Sequence, residues 1–552
     1  MTQQKTRLSP AGRVPLLPDR WSILAAAIAA VVLLPLVAVL WIALNPTDNI
    51  WPHLVATVLP RYLLNTAILM VSVGALAAVA GTVCAWLVVM YRFPFSRVLE
   101  WALLLPLAIP AYVGAYALVD FLEYAGPVQS GLRGLFGWRS AQDYAFPEVR
   151  SHGAAIVVLA ASLFPYVYLL VRAALREQSA SSYEVARALG AGPWRRFASV
   201  GLPLSRPAIA AGVAIVMMET VNDFGTVEYF AVQTLTTGIF SVWLESYNAG
   251  GAAQIAMVIL TLVLVLVTLE KISRRNARFH RMSRHQRPVE RIALTGAGAW
   301  AATAACLLPF AVGFALPAGV ILSHAFANAE NWADPGLIRA TLNTLGVGGA
   351  AALVTVGGAL LLVYGVRLGG RSLPRALLPV TTIGYAAPGA VLGIGLLLPL
   401  SGLDHQIADL WLALTGRDPG LLLSGTAAAI VLAYTVRFFA IAVGATDAAM
   451  GRISPSIPMA ARSLGRGPAA TLRAVHLPLI RGSVGTALLL VFVDCVKELP
   501  ATLLLRPFNF STLATRVYDQ ASLENIGDAA PAAVLVILVG LAAVIALART
   551  SR

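Results

Sequence analysis

The chain alternates long apolar runs with short polar connections, and few folds tolerate that pattern. Twelve runs are long enough to cross a bilayer: 22–45, 63–90, 97–119, 153–172, 206–227 and 253–270, then 297–322, 342–365, 376–400, 422–443, 480–499 and 530–548. A spanning helix needs about 20 apolar residues at about 1.5 Å rise each. Composition agrees, because 58% hydrophobic residues, 12% charged ones and a mean hydropathy of +0.78 exclude a soluble globule. The expected fold class is an all-α polytopic membrane protein with about 12 transmembrane helices.

A net charge of +14 raises the question of a nucleic-acid partner, and its distribution answers it. Arginines such as Arg92, Arg97, Arg195, Arg196, Arg274, Arg275, Arg367, Arg462 and Arg473 fall in the even-numbered connections. Acids such as Asp120, Glu123, Asp143, Glu330, Asp334, Asp404, Asp519 and Glu524 fall in the odd ones. The positive-inside rule then expects both termini in the cytoplasm, and basicity reports topology rather than nucleic acid. The basic amino terminus precedes an apolar run too long for a signal-peptide core, so the first span is expected to be retained. Cys84, Cys306 and Cys495 lie inside spans at unrelated positions, which indicates neither a disulfide framework nor a metal cluster.

The chain repeats itself. Glu184-Val-Ala-Arg-Ala-Leu-Gly190, running on to Val200-Gly-Leu-Pro203, returns as Met459-Ala-Ala-Arg-Ser-Leu-Gly465, running on to Val475-His-Leu-Pro478, at a constant offset of 275. Asn65-Thr66 and Pro110 return as Asn343-Thr344 and Pro388 at an offset of 278. Six spans per copy make the halves parallel, related by an axis along the membrane normal. The expected division is a first repeat over 1–270 (core about 61–270), a basic cytoplasmic linker over 271–292, and a second repeat over 293–552 (core about 339–548).

Each repeated loop reads as a short helix, a turn and a second helix start. Residues 184–189 and 459–464 favour a helix, Gly190 and Gly465 can supply a left-handed cap, and Pro193 and Pro468 prevent continuation. A mere connector has no need of the same Gly-to-Pro spacing twice.

The pattern Glu-Ala-Ala, three residues, Gly, nine residues, Ile, any residue, Leu-Pro resembles the cytoplasmic loop of binding-protein-dependent ABC importer permeases of the type I fold. Copy one meets it with Glu184, Ala186, Gly190, Val200, Leu202 and Pro203. Copy two meets it with Ala460, Ala461, Gly465, Val475, Leu477 and Pro478, although Val185 and Met459 depart from the pattern. The resemblance implies a fused two-copy permease in the bacterial inner membrane, with the loops as coupling elements on two copies of a cytoplasmic ATP-binding subunit and a periplasmic substrate-binding protein outside. The segments Glu219-Thr-Val-Asn-Asp-Phe-Gly-Thr226 and Asp494-Cys-Val-Lys-Glu-Leu-Pro500 are similar to the ferric-iron branch; thiamine or another small solute is the alternative substrate. ATP hydrolysis is expected elsewhere, since Lys5, Lys271 and Lys497 are the only lysines and none follows a glycine as a phosphate-binding loop requires. No catalytic constellation, metal cluster or cofactor is indicated.

Charges inside spans are expensive and therefore informative. Glu219 and Asp223 match Asp494 and Glu498 at the offset of 275, and Asn222 matches Lys497. Either Lys497 neutralises Asp494 while the other acids cap helix ends, or these six residues form the outer rim or gate of a pathway. An ion-coupled secondary transporter would place such acids near the midplane, whereas helix rise from Pro203 puts them toward the outer side.

Overall fold

In a computed structural model, which describes residues 20–275, 290–368, 372–382, 384 and 387–550, the chain is almost entirely helical. The long helices are α1 (Arg20–Leu44), α2 (Leu59–Met90), α3 (Ala111–Leu122), α4 (His152–Arg176), α5 (Ala180–Ala188), α6 (Leu202–Asn222) and α7 (Ala249–Arg275) in the first copy. The second contributes α8 (Gly296–Ala327), α9 (Pro335–Arg367), α10 (Gly389–Thr415), α11 (Ala427–Gly451), α12 (Ser456–Ser463), α13 (Leu477–Lys497) and α14 (Ile526–Thr550). Eleven helices among the described residues are long and apolar enough to cross a membrane, and a bent pair makes up to twelve. Helices are the expected solution, since hydrocarbon offers no partner to an open backbone group.

Two of the expected spans differ in form. The run over 97–119 is broken: Ser96–Ala108 and Ala111–Phe136 meet at 97°. Pro110 sits at the break with ψ 141, where its ring and extended backbone end one helix and start the next. In the second copy Pro388 stands at the matching N-cap of α10, so the helix runs over Gly389–Thr415 rather than over 376–400. Most of the linker expected over 271–292 lies outside the described residues; its far end is fixed by parallel pairing of β2 (Ile292–Ala293) with β1 (Tyr91–Arg92). Cys84 and Cys306 are neighbours rather than unrelated, both as buried free thiols.

Each copy is built on a three-helix core, α2 with α4 and α6 in the first and α9 with α11 and α13 in the second. The repeated Asn-Thr pair has the same task in both. Asn65 donates to the Gln233 carbonyl at 2.8 Å and Thr66 accepts from the Leu235 amide at 3.0 Å. Asn343 donates to the Ser511 carbonyl at 3.0 Å and Thr344 accepts from the Leu513 amide at 2.8 Å. These bonds pin the start of a short outer helix to the core in each half. The first helices are exchanged: α1 packs on α10 of the second copy, and α8 packs on α3 of the first. A third apolar cluster, drawn from both copies, fills the space between them.

Candidate functional site

The two repeated loops fold alike. In the first, Ser179 caps α5 through the Ser181 amide at 3.3 Å, and Glu184 stands exposed on the helix with Ala186 half-buried beside it. Gly190 then turns left-handed at φ +80; its amide donates to the Arg187 carbonyl at 3.0 Å and the Ala191 amide to the Ala186 carbonyl at 2.9 Å. That pair of bonds is the Schellman closure, and it needs a residue without a Cβ penalty at positive φ. In the second, Gly465 has φ +81, with the Gly465 amide on the Arg462 carbonyl at 2.9 Å and the Arg466 amide on the Ala461 carbonyl at 3.1 Å. Ala460 is exposed and Ala461 buried on α12. Leu202 with Pro203, and Leu477 with Pro478, begin α6 and α13. Leu189 and Leu464, in matched register, are 81% and 82% exposed.

Below each loop the copies use different side chains to fill the same space. At Gly201 a Cβ would lie 2.5 Å from Cζ3 of Trp86. At the matching positions of the second copy His476 meets Tyr364, ring centroids 5.1 Å apart, and the Tyr364 hydroxyl donates to the Pro468 carbonyl at 2.7 Å. A large ring opposite glycine is thus exchanged for two middle-sized rings.

At the far ends of α6 and α13, Glu219, Asn222, Asp223, Asp494, Lys497 and Glu498 all line one cavity of about 190 Å³ between the copies. Asp223 accepts from the Thr226 amide at 3.0 Å, the Thr226 hydroxyl at 2.9 Å and the Val227 amide at 3.1 Å. Glu498 accepts from the Ala501 and Thr502 amides, each at 3.2 Å. Each therefore caps the short helix that follows it while facing the cavity. The ammonium of Lys497 crosses to the first copy and donates to the Leu107 carbonyl at 2.7 Å. Asp494 and Glu219 both lie within its electrostatic reach.

Sequence reasoning missed Arg437. It projects from α11 into the cavity and donates to Glu498 at 2.8 Å, with the carboxylate side chain only 1% exposed. A lone arginine in the apolar run Val-Arg437-Phe was the available signal. Gly389 makes room for the pair, because a Cβ there would lie 2.3 Å from Glu498 Oε1 and 2.4 Å from Arg437 Nη1. Tyr112, Ser162 and Tyr166 also line the cavity and carried no signal beyond their type. Counted as ionised side chains, four carboxylates face two cations there. Among the described residues no three His, Cys, Asp or Glu side chains are placed to hold a metal ion.

Residues 70–278 match the family of binding-protein-dependent transport system inner membrane components. The chain is 27% identical over 484 residues to the Fe(3+)-transport system permease protein FbpB 2 of Haemophilus influenzae, covering 86% of this chain and 87% of that protein. It is 28% identical over 207 residues to the molybdenum transport system permease protein ModB of Escherichia coli K12, covering 36% of this chain and 87% of that protein. The sulfate transport system permease protein CysT of the same organism is 29% identical over 195 residues, covering 34% of this chain and 67% of its own. The resemblance drawn from the repeated loops is borne out, and the fold is that of an all-α permease of the type I importers.

Proposed function

We propose that this ABC importer permease, which supplies both halves of the pathway in one chain, carries iron(III) delivered by a periplasmic binding protein. Two copies of a separate cytoplasmic ATPase would dock on the loops around Gly190 and Gly465, with both termini on the same side. The observation that carries the reading is the charge of the cavity, four carboxylates against two cations. At an effective dielectric near 20, an oxyanion charge about 4 Å from an uncompensated carboxylate is disfavoured by about 4 kcal/mol, and a cation is favoured in proportion to its charge. That sign separates a ferric ion from molybdate or sulfate. Similarity across both halves to a permease named for Fe(3+) supports the same choice.

The route from nucleotide to cargo is short. α6 and α13 each have 21 residues, a rod of about 30 Å that begins beside a coupling loop and ends at the cavity. Movement of the loops by the ATPases would reach the cavity with little loss, and the acids would bind weakly enough to release. The test is uptake of radioactive ferric iron by the transporter reconstituted with its ATPase and binding protein. Replacing Asp223 and Glu498 together with Asn and Gln should cut uptake at least tenfold while the ATPase subunits stay bound. Uptake independent of ATP would point instead to ion coupling, and ATP-driven uptake of thiamine or an oxyanion in place of iron would reject the substrate.

A further inference from the structure

We propose that the seat for the cation belongs to the first copy alone, and that the ion is held there through its water or hydroxide ligands rather than by direct chelation. This rests on the iron reading above, and three register pairs carry it.

The first pair is Asp223 and Glu498. Glu498 is neutralised by Arg437 at 2.8 Å, whereas the first copy has Ser162 at the position matching Arg437, so Asp223 receives its hydrogen bonds from neutral donors only. The second pair is Asn222 and Lys497. Lys497 brings a fixed ammonium into the cavity, while Asn222, 6% exposed, brings a carbonyl oxygen, Oδ1, that has no protein partner. The third pair is Tyr112 and Ala390 at the offset of 278. Tyr112, 4% exposed, lines the cavity with a hydroxyl that likewise has no protein partner, and Ala390 offers no polar atom. Tyr112 packs directly on the capped helix, since a Cβ on Gly225 would lie 2.8 Å from Tyr112 Cβ.

Buried polar atoms without partners are rare in folded proteins, and two at one corner of a cavity mark a place where something else completes the hydrogen bonds. A carboxylate and an amide oxygen are acceptors only, which suits the strongly polarised hydrogens of water bound to a trivalent ion. The tyrosine hydroxyl can donate to a hydroxide ligand. No three His, Cys, Asp or Glu side chains converge among the described residues, which favours contact through the ion's own ligands over a cage of such side chains. Arg437 and Lys497 offset Glu498 and Asp494 within the second copy, so the net negative charge of the lining lies on the first.

Swapping the register positions tests this in the full transporter in proteoliposomes, with ferric iron delivered on its binding protein. Asn222→Lys, which places an ammonium in the first copy, should lower uptake at least tenfold, and at least threefold further than the converse Lys497→Asn does. Abundance and retained ATPase subunits report folding. Hexaamminecobalt(III), whose ligands do not exchange, should inhibit ferric uptake by wild type and not bind the Asn222→Lys protein. Equal losses in Asn222→Lys and Lys497→Asn would overturn the one-sided seat, and no inhibition by the cobalt complex would overturn the outer-sphere contact, in each case with the iron reading intact. Absence of ferric uptake by wild type would remove both.

Discussion

Replacing Gly190 isolates the loop from the rest of the molecule. Its φ of +80 lies in the left-handed region, and a Cβ built there meets nothing within 4 Å, so any penalty comes from the backbone alone. An ordinary L-residue pays about 1–2 kcal/mol in that region, and a β-branched one about 2–3 kcal/mol. At tenfold per 1.4 kcal/mol, valine should depopulate the capped loop roughly 30- to 150-fold against frayed alternatives. Asparagine, which tolerates the left-handed region, should cost little, and alanine should fall between. The loop lies outside the three-helix cores, so membrane abundance and melting temperature should stay near wild type across the series. Co-purified ATPase and transport-coupled ATP hydrolysis should fall in the order Asn, Ala, Val. The reasoning is refuted if the three variants couple equally, or if coupling is lost only in step with abundance. The same series at Gly465, φ +81, should reproduce the order.

Two further perturbations use differences between the copies. Glu184→Ala should weaken ATPase binding more than Met459→Ala, because a carboxylate on a basic partner is worth about 1–3 kcal/mol and a methionine offers no charge; equal losses in a pull-down would reject the asymmetry. Gly201→Ala should lower the melting temperature and disturb coupling, since its Cβ would stand 2.5 Å from the Trp86 ring and overpacking costs about 1–3 kcal/mol. Trp86→Phe should restore the double variant, and failure to do so would mean the contact is not the cause.

Features that repeat in sequence were legible because one physical demand was met twice. Gly190 and Gly465 are glycines since the turn needs positive φ, and Asn65-Thr66 recurs as Asn343-Thr344 since both outer helices need the same pins. What a register comparison cannot see is substitution by complement. Trp86 with Gly201 and Tyr364 with His476 fill equal space with no residue in common, and Arg437 aligns with Ser162, so the pairing of Glu498 was hidden behind an apparently symmetric set of acids. The break at Pro110 was also missed, because a run of apolar residues reports length and not direction.

The exchanged first helices bear on how the protein is made. α3 keeps an uncovered face until α8 has been synthesised, and α1 gains its second-copy packing only from α9 onward. At about 5–20 residues per second the first copy therefore waits tens of seconds in the membrane, incomplete, for its counterpart. Two separate polypeptides would have to find each other during that interval by diffusion among other nascent helices. A tether makes the meeting intramolecular, at an effective concentration in the millimolar range, and removes the possibility of two first copies clasping each other. Severing the chain within the linker should thus leave a finished transporter intact but make newly synthesised halves vulnerable to quality-control proteolysis.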